Sequence, residues 1–245
     1  MSRYYYDFHI HSCLSPCGDN DMTPNNIAGM AKLNGLQIVA LTDHNSVLNV
    51  PAFFEAAKRY SIIPVAGMEL TTAEDIHLVC LFETVGQAME FGEAVGKRRT
   101  LIRNRVEIFG EQLILDGNDE VTGTEEFLLP NATSITVDES VQFVESCGGV
   151  CYPAHVDREA NGIIATLGTF PETPAFRFAE FNDASNIEKY REKYPVLADL
   201  PVLVSSDAHR LESMREAENC FELEGGTEAE IRAQLFRKLR AGLNR

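Results

Sequence analysis

The chain has 245 residues, 44% apolar and 24% charged, a composition ordinary for a folded globular protein and a length that one α/β barrel can fill. Its formal net charge is −16. Nucleic-acid binders usually display a basic face because phosphate neutralisation dominates their affinity, so the acidity predicts no long nucleic acid as partner and leaves a small phosphorylated substrate open.

No apolar run approaches the roughly eighteen residues of a transmembrane helix, and MSRYYYDF carries no apolar leader core, so we expect no membrane partner and a cytoplasmic location. Residues 4–10 read as a strand, aromatic and β-branched, that runs into DFHIHSC. His9 and His11 stand two apart there and so share one strand face. A helix follows near 24–34. QIVALTD (37–43) is a continuous apolar run, as expected of a strand buried on both faces. A helix at 51–60 precedes strands at 62–70 (IIPVAGMEL) and 76–82 (IHLVCLF). Thr84 with Gln87 reads as a capping box opening a helix, and Thr136 with Glu139 as a second, with Gly148 at its C′ position. GGVCYPAH (148–155), FRFAEF (176–181) and LPVLVSSDAH (200–209) read as strands, and Thr227 with Glu230 caps a last helix to about 242.

Alternating strands and helices predict parallel βαβ units. About seven strands fit either a (β/α) barrel or a doubly wound open sheet, which periodicity does not separate. Residues 98–134 break the rhythm and read as an insertion on the rim, a lid or specificity wall. KRRTLIRNR (97–105) is spaced like a solvated helix face. With no repeat or linker, residues 1–245 read as one domain. The six cysteines form no C-x-x-C pair and read as reduced, Cys80 and Cys220 as small buried hydrophobes.

The six histidines are 9, 11, 44, 77, 155 and 209. Five fall at or just past the C-terminal end of an expected strand, and His77 starts one. In a parallel barrel those ends converge on the face where active sites are built. Asp43, Glu69 and Asp207 accompany them. Imidazoles and carboxylates in that number suffice for more than one divalent metal ion, with zinc, manganese and iron all suited.

Taken in order, DFHIHS, ALTDHN, GMEL, DIHLVCLF, PAHVD and SSDAH resemble the motifs of the PHP (polymerase and histidinol phosphatase) superfamily of metal-dependent phosphoesterases, over residues 7 to 209. The resemblance implies an irregular (β/α)7 TIM-like barrel of PHP type with two or three divalent metal ions at the strand ends. It implies that His9, His11, Glu69 and Asp207 hold one ion. Glu69 would bridge to a second, completed by His77 and His155, and His44 and His209 would hold a third. Where family members place a further histidine or aspartate after the HxH, this chain reads SCLSPCGDND. Cys17 and Asp19 are the candidates there, and a thiolate favours zinc over manganese or magnesium. The chain looks more like the stand-alone small-molecule phosphatases and nucleotide phosphodiesterases than like polymerase-associated exonucleases.

The chemistry so implied is hydrolysis of a small phosphorylated metabolite or nucleotide by water activated on the metals. Asp43, Asp207 and His209 are the expected catalytic residues, Asp43 as a general acid or base, as an orienting group, or as a plain strand-end turn acceptor. Arg158 and Arg210 are candidates for gripping phosphate, and Asn45 and Asn182 for hydrogen bonding to substrate. Two alternatives stay open: an amidohydrolase-like enzyme, for which no lysine stands at a strand end, and a non-catalytic metal-binding module.

Overall fold

The computed structural model describes residues 1–242, so the last three residues of the domain read over 1–245 lie outside the described residues. In chain order the elements are β1 (Ser2–Asp7), α1 (Pro24–Leu33), β2 (Ile38–Leu41), α2 (Val50–Tyr60), β3 (Ile63–Thr71), β4 (His77–Phe82) and α3 (Val85–Gly96). The insertion holds α4 (Val106–Phe109), β5 (Leu113–Leu115) and β6 (Val121–Thr124). There follow α5 (Val137–Ser146), β7 (Val150–Pro153), α6 (Ile163–Leu167), β8 (Ala179–Phe181), α7 (Ile187–Lys193), β9 (Val202–Val204), β10 (Cys220–Leu223) and α8 (Glu228–Ala241).

One sheet runs β10–β1–β2–β3–β4–β7, and β8 and β9 form a parallel pair. β1, β2 and β3 are parallel, as their buried apolar runs predict. The expected parallel series fails at the next step. β4 lies antiparallel to β3, with Thr71 opposite His77. Only residues 72–76 join them, and a parallel crossover needs roughly a dozen residues, so the connection has to be a hairpin. β7 in turn runs antiparallel to β4. The reversal carries His77, at the start of its strand, to the end where the other strands finish.

Past the strands the backbone keeps bonding from neighbour to neighbour. Thr42 N donates to Ile10 O at 2.9 Å, Glu69 N to Asp43 O at 3.1 Å, Ala154 N to His77 O at 3.0 Å and Val156 N to Glu180 O at 2.8 Å. His11 N donates to Ala208 O at 2.9 Å, tying the end of the chain's last parallel pair back to the first strand. The result is a mixed α/β fold whose sheet curls, TIM-like in outline, with its rim gathered round the histidines. Tyr6, Phe8, Ala40, Val65, Tyr152 and Phe178 fill the inside of the curl. Ile231, Leu235, Phe236 and Leu239 of α8 join the same core beside Ile38, Ile63 and Val150, at the end away from the histidines.

The capping boxes at Thr84 and Thr227 form in full. At Thr136 only half of one forms. Its hydroxyl accepts from Glu139 N, but the Glu139 carboxylate turns to Arg98 at 2.7 Å. Gly148 takes φ +78° just past that helix, the left-handed turn glycine allows. Cys220 is half-buried at the sheet edge, less covered than expected. FRFAEF and LPVLVSSDAH yield strands of three residues each. KRRTLIRNR is extended instead of helical: Arg99 bridges to Thr133 and Arg103 to Phe127. Cross-strand pairing and ion pairs with Glu125, Glu126 and Glu139 override its helical spacing. Among the described residues no helix is long and apolar enough to cross a membrane.

Candidate metal centre

His9 and His11 lie just past β1, and their alternation holds: the two Nε2 atoms are 3.2 Å apart. Glu69 and Asp207 complete a tight group. His9 Nε2 is 3.2 Å from Glu69 Oε1 and 3.3 Å from Asp207 Oδ1, and His11 Nε2 is 3.3 Å from Glu69 Oε2 and 3.2 Å from Asp207 Oδ1. Ligands at about 2.0–2.1 Å around a tetrahedral ion are separated by about 3.3 Å, so this spacing fits a first-row divalent cation. The donor chemistry fits as well. Glu69 Oε2, Asp207 Oδ1 and His44 Nδ1 are buried without an aligned hydrogen-bond partner, which is costly unless a cation satisfies them.

Glu69 is the hub. His77 lies opposite Thr71, so it shares a face with Glu69 on the diagonal, and its Nδ1 is 2.8 Å from Glu69 Oε1. His155 Nε2 is 3.2 Å from the same oxygen. On the other side His44 Nδ1 is 2.9 Å from Glu69 Oε2. His11, His44 and His209 offer donors within 4.8 Å of one another, as do His9, His11 and Glu69, and His44, Glu69 and His77. The fold thus brings together all six histidines, Glu69 and Asp207.

Burial raises the pKa of the Glu69 carboxyl, but the neighbouring His77, His9 and His44 outweigh it and hold the group well below the usual carboxylate range. Asp207 is held down likewise against burial, by His9 and His11. Burial opposes charge on His11 and His44, yet Glu69 together with Asp207 brings His11 up to about 9, and Glu69 helps bring His44 to about 9. His209 falls to about 3 because burial and the charge on His11 disfavour a second cation there. The cluster therefore carries strong negative sites that gather positive charge around them.

Its supports are equally buried. Glu180 Oε1 lies 2.7 Å from His9 Nδ1 and accepts from His155 N at 3.3 Å. A carboxylate behind a ligating imidazole fixes its tautomer and orientation. Sequence reading missed Glu180, whose signal is parity: it sits on the alternate positions of Phe176 and Phe178, all three buried. Asp43 accepts from Ser12 N, Ser12 Oγ and Ser15 Oγ, each at 2.7 Å, and Ser15 Oγ is 3.0 Å from His11 Nδ1. With its oxygens so engaged, Asp43 is linked to His11 through Ser15. His155 (φ +27°) and Asp207 (φ +51°) sit in the left-handed region, where non-glycine backbone is strained and such strain collects at functional sites.

Other expected residues land elsewhere. Asn45 Nδ2 donates to Leu129 O and Asn131 O, and its Oδ1 accepts from Thr71 N, so it clamps the insertion to β3 and offers nothing to a substrate. Arg210 is exposed, its guanidinium 4.0 Å from the Glu212 carboxylate. Arg158 does reach the mouth, where it donates to Asp207 Oδ2 and, at 3.0 Å, to Asn182 Oδ1. Asn182 also receives Arg215 on its carbonyl, an arginine that no motif singles out. The Asp19 carboxylate accepts from Asp21 N in a local turn, while Asp19 N donates to His209 O at 2.9 Å.

A curled α/β sheet, TIM-like in outline, thus carries at its strand ends a buried histidine–carboxylate cluster that could hold metal ions. The family model for the PHP domain matches residues 7–122 of this chain. The chain is 28% identical over 185 residues to a PolC-type DNA polymerase III of Thermotoga petrophila, a match covering 62% of this chain and 13% of the polymerase. The novel lesion-specific endonuclease PfuEndoQ of Pyrococcus furiosus has the same fold: TM-score 0.61 at 21% identity, covering 94% of this chain and 55% of that one. An endonuclease Q complex with a 27-mer duplex substrate gives TM-score 0.60 at 20% identity, covering 94% and 56%. The chain thus spans a small part of the polymerase and little more than half of the endonuclease.

That duplex complex corrects the expectation that acidity excludes long nucleic acid, since this fold does accommodate a duplex in endonuclease Q. The physical reason is that net charge is a sum over the molecule. Asp7, Asp43, Glu69, Glu180 and Asp207 are buried in or behind the centre and present no face to a backbone, while Arg158 and Arg215 stand at its mouth.

Proposed function

We propose that this chain is a metal-dependent phosphoesterase acting on the phosphate esters of nucleotides or nucleic acid. On this proposal His9, His11, Glu69 and Asp207 hold one ion, Glu69 with His77 and His155 a second, and His44 with His209 a third. The observation that carries it is the group of four buried donors at 3.2–3.3 Å around Glu69 and Asp207. Divalent ions bound there supply water of lowered pKa and positive charge for phosphoryl oxygens. Glu180 holds the His9 ring, and Ser15 with Asp43 holds His11, so donors stay aimed at one point without reorganising. Arg158, on the open side of Asp207, is placed to grip a non-reacting phosphate oxygen. The names of the polymerase and endonuclease relatives support nucleotide-type substrates. We take the curl as the irregular seven-stranded barrel and residues 1–245 as one domain.

The test is a purification without chelator, followed by assay against phosphomonoesters, dinucleotides and single- and double-stranded oligonucleotides with added Mn²⁺ or Zn²⁺. We expect metal-dependent phosphate-ester cleavage that falls at least about a hundredfold in Asp207→Ala. Metal uptake with amide hydrolysis and no phosphate release would overturn the proposal in favour of an amidohydrolase.

A further inference from the structure

We infer that Arg215 is a specificity-determining residue: it grips the phosphate next to the reacting one, so that the site selects a nucleic-acid strand over an isolated phosphate ester. The inference rests on the phosphoesterase reading above and names a substrate class within it. The loop after β1 supplies no comparable group, since Cys17 is exposed and stands in none of the converging ligand sets among the described residues. The side of the mouth built by the ends of β7, β8 and β9 does.

Asn182 is the bracket there. Its N–H donates to Asp157 Oδ1 at 2.8 Å and its Nδ2 to Ser206 O at 2.9 Å, which fixes both of its carbonyl oxygens. The side-chain oxygen accepts from Arg158 Nη2 at 3.0 Å, and the main-chain oxygen accepts from Arg215 Nη2. Arg158 also donates to Asp207, so the first guanidinium stands beside the metal cluster and the second stands across Asn182 from it. Successive phosphates of a strand carry one charge each and are joined by one sugar, a repeat that two guanidiniums on one asparagine can follow.

Arg215 is positioned in advance of such a contact. Asn34 Nδ2 donates to Met214 O at 3.0 Å and to Arg215 O at 3.1 Å, and Asn34 O accepts from Ala217 N at 3.0 Å. With the backbone fixed in this way, little freedom is lost on binding. The acids nearby are turned elsewhere. Asp157 also accepts from Asp183 N and Asn186 Nδ2, and Asp183 accepts from Ser185 N at 2.9 Å. Glu218, 4.0 Å from Arg215 and largely exposed, makes a screened pair that a phosphate would displace. Arg215 Nε is buried with no partner, so the donors of this guanidinium are not exhausted within the protein.

The test compares wild type, Arg215→Ala and Arg215→Lys, each loaded with Mn²⁺. The substrates are bis(p-nitrophenyl) phosphate, which carries a single phosphate, a nucleoside monophosphate, and a fluorescein-labelled single-stranded oligonucleotide. Binding of a cleavage-resistant phosphorothioate form of the oligonucleotide is followed by fluorescence anisotropy across a salt series. We expect Arg215→Ala to lose at least about tenfold more kcat/KM on the oligonucleotide than on the small diester, with the excess in KM. The slope of log affinity against log salt should fall by about one, and Arg215→Lys should restore most of it because the charge returns. Equal losses on both substrates, or none, with an unchanged salt slope would overturn the inference and make Arg215 a structural tie. So would a wild type that turns over the small diester or the monophosphate but neither binds nor cleaves the oligonucleotide, and the phosphoesterase reading would then survive. No turnover of any of the three would bring down both.

Discussion

The floor of the centre and the insertion over residues 98–134 are built in opposite ways. The floor is made of side chains at the ends of β1, β2, β3, β4 and β7, buried to a few per cent and each touching several others. The insertion is extended chain held by antiparallel bridges and partly exposed ion pairs, such as Arg103 with Glu126. It meets the floor at a few buried amides: Asn45 reaches residues 129 and 131, and Asn49 grips Leu113 and Leu115. In the floor a single charge cannot be removed without stranding the others, because burial magnifies each interaction. In the insertion water screens most of what is lost. Loss of one floor charge therefore reaches the whole cluster, whereas loss of one ion pair in the insertion stays local.

Substitutions graded across the two regions sharpen that contrast. Glu69→Gln keeps the shape but removes the charge shared by His9, His11, His44, His77 and His155. Metal bound per chain should fall by at least one ion, read by plasma mass spectrometry, with activity down more than about a hundredfold. Glu180→Gln, one step behind, should weaken metal affinity by about 10–100-fold in a chelator competition while circular dichroism stays unchanged. Asn45→Ala strands the Thr71 N–H and two carbonyls at the seam. It should cost roughly 1–3 kcal/mol in urea unfolding and leave metal content intact. Arg103→Ala, out in the insertion, should cost under about 1 kcal/mol by the same measurement. A large loss of metal from Arg103→Ala, or none from Glu180→Gln, would break the comparison.

Sequence patterning made the floor legible because its signals are local. Continuous apolar runs marked β2 and β3, and histidines at run ends marked the rim. Direction was not legible in the same way. His77 reads as an exception until the short 72–76 connection forces β4 to reverse, and then it joins the others. Glu180 stayed hidden because an acidic residue in a strand looks like a solvent position unless its parity with Phe178 is followed. Asn45 was misread for the converse reason: it neighbours His44 in sequence, but a φ of +46° turns its amide to the seam. The insertion was illegible since its register is set by pairing across some thirty residues, between Arg99 and Thr133, and no periodicity encodes that.

The central claim is that six histidines and two carboxylates share metal ions at one rim. The most direct measurement is metal per chain in protein purified without chelator and then reconstituted, wild type beside Asp207→Ala. The account predicts two or three ions in wild type and at least one fewer in the variant, with both folded. Trace metal in reconstituted wild type, or equal occupancy in the two proteins, would contradict it.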